Sequence, residues 1–251
     1  MSDLPPTPFL DLKTPWMNAA GSLGFAPDAH GPVAFQSLGA FVTNPISARP
    51  RRASVGPRLL EYPGGVLLHS GLPNLGLRGV LKKHAGVWAR VDLPIIVHLM
   101  AENGEELRKM VLQLENVENV AAVEVGVPAD AAEELAVELL QAAQGELPVI
   151  CQIALPRALE LGETMLAAGA SAISLGPPRG TLPGPSGKLV SGRLYGPAIY
   201  PQALEIVRLL AKLELPVIAA GGIDSQEKGE SMLAAGALAV QIDVGLWRGM
   251  E

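Results

Sequence analysis

The most constraining feature of this 251-residue sequence is a regular alternation of short apolar runs with longer stretches of helical periodicity. Several runs have no polar interruption, which is typical of strands buried on both faces of a parallel sheet. The eight predicted strands are Trp16–Ala20, Ala40–Asn44, Ile95–Met100, Ala121–Val127, Val149–Ala154, Ala172–Leu175, Val217–Ala220 and Ala239–Asp243. The clearest helical patterns between them are Gly104–Asn116, Asp130–Ala143, Pro201–Leu213 and Ser225–Ala235. Eight such repeats favour a closed (β/α)8 TIM barrel over a doubly wound sheet.

The length of the chain suits one such barrel, and no linker divides it, so residues 1–251 are predicted to form a single domain. Two connections, Pro45–Gly76 after the second strand and Gly176–Gly196 after the sixth, are rich in Gly and Pro. Both are expected over the C-terminal face of the barrel, where barrel enzymes carry their chemistry. Only Val244–Glu251 follows the last strand, which predicts a truncated final helix that a partner subunit could cover.

Composition and charge exclude several classes of function. The net charge of −6 argues against a nucleic-acid-binding surface. No stretch of about 20 uncharged apolar residues is present to cross a membrane, and the N-terminus lacks the pattern of a signal peptide. A cytoplasmic protein with a small-molecule ligand is therefore expected, and a homodimer is the commonest assembly for such a chain.

The strongest local motif is Val217–Ile223, a buried strand that runs into Gly221 and Gly222 and then into a helix starting near Ser225. Such a turn brings a phosphate close to backbone N–H groups at a helix N-terminus. The alternative is a tight turn that needs glycine only for its backbone conformation. Asp243, at the end of strand eight, would repel a phosphate held there.

Few other residues are candidates for a binding or catalytic role. Asn18–Gly24 ends strand one with small residues, which either admit a flat ligand or form a simple glycine turn. Among the histidines, His69 in the first long connection is the candidate for a ligand contact, whereas His98 is expected to be a satisfied core or barrel-mouth residue. The spacing matches no metal site, and Cys151, the only cysteine, is expected to be inert packing.

Taken in order along the chain, these segments resemble the dihydroorotate dehydrogenase family, FMN-dependent barrels of pyrimidine biosynthesis. The resemblance lies in Asn18–Gly24, Gly39–Thr43, Pro57–Gly64, Gly71–Gly76, Gly192–Pro201, Pro216–Ile223 and Ala235–Gln241. It implies FMN contacts at Ala19, Ala20, Gly21, Thr43, Asn44, Gln152, Gly192, Gly221 and Gly222. It implies substrate contacts at His69, Gly71, Leu72 and Asn74.

The departures from the family pattern concern its chemistry. Asn44 and Gln152 stand where the family has lysines, and an amide hydrogen-bonds but carries no charge to stabilise a reduced flavin. Leu68 and Gly126 stand where the family has asparagines. The loop that carries the family's Cys or Ser base is missing, because Val127–Asp130 leads directly into a helix, so no catalytic residue is assigned. Arg193, Tyr195 and Asp243 replace small residues around the expected flavin.

Three hypotheses follow. The first is a dihydroorotate dehydrogenase-like oxidoreductase that oxidises dihydroorotate or a related small ring with FMN as hydride acceptor. The second is a non-catalytic family member that serves as a binding or assembly partner. The third is a barrel enzyme that uses the same face without flavin, through polar residues such as His69, Asn74, Arg193, Tyr195 and Asp243.

Overall fold

A computed structural model describes residues 10–28, 35–243 and 245–248, without the side chains of 247 and 248. Its strands are β1 (Trp16–Asn18), β2 (Phe41–Val42), β3 (Leu59–Tyr62), β4 (Gly65–Leu68), β5 (Ile95–Leu99), β6 (Val120–Gly126), β7 (Val149–Ala154), β8 (Ala172–Gly176), β9 (Arg179–Pro183), β10 (Leu189–Tyr195), β11 (Val217–Ala220) and β12 (Ala239–Ile242). Its α-helices are α1 (Gly76–Trp88), α2 (Gly104–Leu114), α3 (Glu133–Ala142), α4 (Ala158–Ala167), α5 (Tyr200–Lys212), α6 (Gln226–Ala234) and α7 (Gly245–Arg248).

Eight parallel strands form a closed (β/α)8 barrel, as predicted. Their hydrogen-bonded order is β1-β12-β11-β8-β7-β6-β5-β2, and a parallel bridge between Met17 and Ala40 joins the first strand to the last. Each of the eight predicted runs overlaps one of these strands, with ends that differ by two residues at most. The second is the shortest, because the N–H of Asn44 leaves the ladder and donates to the carbonyl of Gly24.

The four predicted helices are also confirmed. Ser225 caps α6 by accepting a hydrogen bond from the N–H of Lys228, and Asn103 caps α2 in the same way from Glu106. The helix predicted from Asp130 begins only at Glu133, because Pro128–Ala131 forms a turn in which the N–H of Ala131 donates to Pro128. The predicted short last helix is α7.

Small and branched side chains fill the barrel interior, as its low aromatic content requires. One buried layer closes the bottom of the barrel, and its members are Leu10, Met17, Ala40, Val42, Ile96, Ala122, Ile150, Ala172, Ile218 and Ala239. Larger side chains such as Trp88, Leu107 and Met165 pack between the strands and the helices that surround them. Cys151 belongs to this outer packing, and burial raises the pKa of its thiol to about 12, which keeps it inert.

The two long connections contain strands that the sequence did not predict. Each folds into an antiparallel hairpin, β3–β4 in the first and β9–β10 in the second, and β4 pairs with β10 to make one sheet of order β3-β4-β10-β9. We call it the roof sheet. Residues from both connections line the same pocket at the C-terminal ends of the barrel strands, which confirms that both cover that face.

Asn18 closes the barrel where the backbone ladder is thinnest. Its side-chain Nδ2 donates to the carbonyl of Val42 at 2.7 Å, and its Oδ1 accepts from the N–H of Val42 at 2.9 Å. The amide therefore replaces two ladder hydrogen bonds between β1 and β2, and the side chain is fully buried.

Asn18→Ala should therefore lower the free energy of unfolding by about 2–4 kcal/mol, because it leaves a buried N–H and a buried C=O without partners. Urea unfolding followed by circular dichroism measures this. The matched control is Asn116→Ala on the exposed surface, which should change stability by less than about 0.5 kcal/mol. Equal stabilities of the two variants would contradict the assigned role of Asn18.

Candidate active site

A layer of polar side chains lies directly above the apolar bottom of the barrel. Successive side chains of a strand alternate between its faces, so the residue two positions after an inward apolar residue also points inward. Ile96 is followed in this way by His98, and Ala122 by Glu124. The complete polar layer consists of His98, Glu124, Gln152, Ser174 and Gln241.

Glu124 is the centre of this layer. Its Oε1 accepts hydrogen bonds from Ser174 Oγ and from Gln241 Nε2, both at 2.7 Å. Its Oε2 lies 2.6 Å from His98 Nδ1 and 3.4 Å from Gln152 Nε2. Burial by itself would raise the pKa of this carboxyl, but the hydrogen bonds and charge of its neighbours outweigh burial and lower the pKa, so Glu124 is ionised.

His98 presents its other ring nitrogen to the space above the barrel. Nδ1 is engaged by Glu124, and a Cβ built on Gly126 would lie only 2.7 Å from Nε2. The imidazole therefore needs a glycine at the end of β6. A histidine held through one nitrogen by a carboxylate can exchange a proton through the other.

The space above the polar layer is an open pocket of about 740 Å³, which we call the mouth pocket. Its floor includes His98, Gln152, Gly126 and Gly176. The charged residues around it are Arg49, Arg51, Arg179 and Arg193, with Glu102, Glu106 and Asp130 on other parts of the wall. This volume lies in the range of about 300–1,000 Å³ that is usual for small-molecule sites.

Two of the arginines form an unusual pair. Arg193 of β10 is directly opposite Arg179 of β9 in the antiparallel register, and both line the mouth pocket. Like charges at directly opposite positions of a sheet are destabilising unless an anion or a carboxylate lies near them. The roof sheet therefore presents two positive charges to whatever occupies the pocket.

The residues proposed from the resemblance for substrate binding lie elsewhere, and none of them lines the mouth pocket. Asn74 is buried, and its side chain joins Ser47, Leu72 and the N–H of Gly76, so it fixes the loop before α1. Leu72 and Gly71 have positive φ, and a Cβ on Gly71 would lie 2.6 Å from Ser54 Oγ. The N–H of His69 donates to the carbonyl of Arg58.

Several residues proposed for FMN serve the scaffold. Thr43 Oγ1 accepts a hydrogen bond from the N–H of His98, and Asn44 Oδ1 accepts one from the N–H of Gly24. Gly192 lies inside β10, where a Cβ would meet the Leu68 carbonyl at 2.6 Å. Gly21 has a positive φ of 93° and lies in the exposed turn after β1.

All but one of the other FMN positions line a second, much smaller cavity, which we call the flavin slot. Its wall includes the small residues Ala19, Ala20 and Gly221, together with Gln152, Tyr195 and Asp243. Gly222, the second glycine of the turn, packs against the Gly196 carbonyl and the Tyr200 N–H. The slot has a volume of about 20 Å³, which is room for about one water molecule. Such a water would suit Gln241 Oε1, a buried acceptor without a partner among the described residues.

The residues of the flavin slot therefore do not fit FMN. A flat ring system could enter the mouth pocket, but a ribityl phosphate would have to pass through the slot to reach the turn at Gly221. The lining of the slot offers no lysine or arginine to a phosphate, and it contains the carboxylate of Asp243. Accordingly we assign no step of the chemistry to a flavin.

Comparison with known proteins establishes the ancestry of this barrel. Residues 7–138, just over half of the chain, match the family described as dihydroorotate dehydrogenase. The catalytic subunit of dihydroorotate dehydrogenase B (NAD(+)) from Trichlorobacter lovleyi is 31% identical, over 93% of this chain and 84% of the relative. This chain belongs to the dihydroorotate dehydrogenase family. The catalytic subunit of the same name from Pelobacter propionicus is 30% identical over 93% of this chain and 84% of its own.

The protein is thus a dihydroorotate dehydrogenase-like barrel of a flavoprotein oxidoreductase family that serves pyrimidine biosynthesis. The comparisons give no support to the alternative of a binding or assembly partner. No helix among residues 10–28, 35–243 and 245–248 is long and apolar enough to cross a membrane. No group of three His, Cys, Asp or Glu side chains in that part of the chain is arranged to hold a metal.

Sequence reasoning missed the two central residues of this site. The sequence predicts a satisfied residue of the core or barrel mouth at His98, and this is confirmed, since Nδ1 contacts Glu124 and the residue lines the mouth pocket; the role of Nε2 was not predicted. Glu124 gives no local signal of a site residue, because it stands in an otherwise apolar strand. Counting in steps of two from the inward residues of each strand would have found both.

Glu124→Gln should lower the free energy of unfolding at pH 7 by about 2–4 kcal/mol. Each carboxylate oxygen of Glu124 faces two donors, and the substitution replaces one of these oxygens by an NH2 group, which is itself a donor. Folding lowers the pKa of Glu124 below its ordinary value of 4.5. The ionised carboxylate therefore stabilises the fold fully above pH 4.5, and this stabilisation is lost as the pH falls through the lower pKa of the folded state. The stability difference between wild type and variant should therefore shrink below pH 4.5. Urea unfolding at several pH values measures this, with exposed Glu118→Gln as control. A difference that does not change with pH would contradict an ionised Glu124.

Proposed function

We propose that this protein is a dihydroorotate dehydrogenase-like enzyme that binds dihydroorotate, or a related small anionic ring, in the mouth pocket. The observation that carries the proposal is the cross-strand pair Arg179 and Arg193 over a pocket of about 740 Å³. Guanidinium groups bind carboxylates through paired, charge-assisted hydrogen bonds. An acidic ring between them would also relieve the repulsion between the two arginines.

Family membership supports the ring as substrate. The relatives are named as catalytic subunits of dihydroorotate dehydrogenase B, and the similarity extends over 93% of this chain. The pocket lies at the C-terminal ends of β5 to β8, where barrel enzymes carry their reacting groups. Gln152, on the floor, adds an amide that can hydrogen-bond a ring carbonyl or N–H.

His98 is the acid–base group of this proposal. The family places a Cys or Ser base on the loop after strand four, and this chain lacks that loop. His98 instead reaches the floor of the pocket from β5, beside Gly126 at the end of β6, the fourth strand of the barrel. Its Nε2 would accept a proton from a ring carbon next to a carbonyl, and the ionised Glu124 at 2.6 Å would stabilise the imidazolium that forms.

The cofactor, the cellular location and the assembly expected from the sequence also belong to this proposal. FMN is the hydride acceptor of the family, but the flavin slot does not fit it, so the steps assigned to this chain are binding of the ring and proton transfer to His98. We also propose that the protein is a cytoplasmic homodimer; the name of the relatives as catalytic subunits supports an assembly in general.

Orotate should bind to the wild-type protein, and Arg179→Gln and Arg193→Gln should each weaken that binding about tenfold, because each removes a charge-assisted hydrogen bond. Isothermal titration calorimetry measures the affinities. The control is Arg208→Gln, since Arg208 lies on α5 and pairs with Glu205. Failure of orotate, dihydroorotate and related cyclic carboxylates to bind the wild type would disprove the proposed function.

The role of His98 can be measured without any electron acceptor. Dihydroorotate dissolved in D2O with the protein should exchange the hydrogens of its ring CH2 group, as seen by proton NMR. His98→Gln should slow that exchange about 100-fold or more, because it removes the general base. His84→Gln, a change on helix α1, is the control and should exchange at the wild-type rate. Unchanged exchange in the His98 variant would refute this assignment.

A further inference from the structure

We infer that the flavin slot of this chain is closed by its own residues, with Tyr195 obstructing the path of the ribityl chain and Asp243 opposing the phosphate. The barrel therefore folds and binds its ring-shaped ligand without FMN. This inference goes beyond the proposed function, since a ligand in the mouth pocket does not depend on the slot.

The slot is bordered by backbone that would admit a ligand. Ala19 and Ala20 follow β1, and Ala220 and Gly221 lie at the end of β11, so no large side chain from these strands projects between them. The space is nonetheless reduced to about 20 Å³, because side chains from other segments enter it. Those side chains are Leu155, Leu175, Leu194, Tyr195 and Ile199.

Tyr195 is held in this place by the roof sheet. Tyr195 is paired with Val66 in the register of β4 and β10. Tyr62 Oη donates a hydrogen bond to the backbone carbonyl of Tyr195 at 3.3 Å. A Cβ on Gly65 would lie 2.1 Å from that carbonyl, so the two backbones are in direct contact. Because the strand cannot move away without breaking this packing, the ring can leave the slot only by rotation of the side chain.

The hydroxyl of Tyr195 lies among charged groups. Burial raises the pKa of this hydroxyl, Arg193 lowers it through a hydrogen bond and its positive charge, and the negative charge of Asp243 raises it. The side chain is half-buried at the wall of the slot, beside Asp243. Its ring therefore occupies space that a ligand in the slot would need.

Asp243 acts on the phosphate rather than on the ring. It is buried, only 7% exposed, and follows β12 beside the turn at Gly221. A carboxylate repels a phosphate dianion, and the repulsion is stronger in a partly buried site than in water.

Riboflavin and FMN differ only in the phosphate, so together they separate the two obstacles. Flavin fluorescence quenching is titrated with both ligands on the wild type, Tyr195→Ser, and the double variant Tyr195→Ser with Asp243→Asn. The wild type should quench neither flavin. Tyr195→Ser should bind riboflavin, and adding Asp243→Asn should tighten FMN at least tenfold while leaving riboflavin nearly unchanged, since only FMN carries the charge.

Tyr195→Phe is the matched control for the ring. It keeps the bulk and loses only the hydroxyl, so it should remain closed to both flavins. Asp224→Asn is the control for charge, because Asp224 lies near the same turn, outside the slot, and pairs with Lys228 at 2.6 Å. In the Tyr195→Ser background it should not reproduce the gain in FMN affinity.

Orotate titration of each sample shows whether the mouth pocket is intact, so failure of the proposed function is distinguished from failure of this inference. Wild-type protein that purifies with FMN, or that binds it stoichiometrically, would overturn the inference whether or not the variants fold. Variants that bind orotate normally but never gain flavin would overturn it as well.

Discussion

Glu124 is a carboxylate in the middle of the barrel, and five strands have to agree in register before it can be buried there. Removing such a group from water costs several kcal/mol, which only well-placed donors offset. Its donors come from β5, β7, β8 and β12, two of them at 2.7 Å. A shift of one residue in any of these strands would turn its donor out of the barrel. The same contacts therefore fix the strand register and the orientation of His98.

The barrel could be predicted from the sequence, and the roof sheet could not, for a physical reason. Strands buried on both faces are apolar along most of their length, so Ile95–Leu99 or Val149–Ala154 stands out in any window. The strands of the roof sheet are half exposed and contain glycines at close contacts, Gly180 against the Leu194 side chain and Gly192 against the backbone of Leu68. They pair across more than a hundred residues, β4 with β10, and no local pattern records such a partner.

The site was only partly predictable, because its residues act through neighbours on other strands. Gly126 stands where the family has an asparagine, and the sequence alone indicates only that this asparagine is lost. The structure shows that His98, from the adjacent strand, lies where a side chain on Gly126 would be, at 2.7 Å from its Cβ position. Gln152 could be identified as a departure from the family, but its contact with Glu124 depends on register, which a single strand does not reveal.

The arginines of the mouth pocket and the closure of the flavin slot are one structural feature. Arg193 and Tyr195 are two residues apart on β10, so the alternation of a strand places both on the face toward the barrel. Arg193 meets Arg179 above the mouth pocket, and Tyr195 enters the slot beside Asp243. The residue pairing of β10 with β4 positions both side chains at once. The strand that directs Arg193 toward a ligand in the mouth pocket therefore also directs the aromatic ring of Tyr195 into the flavin slot. Since the family resemblance extends along nearly the whole chain, it survives this change in the site.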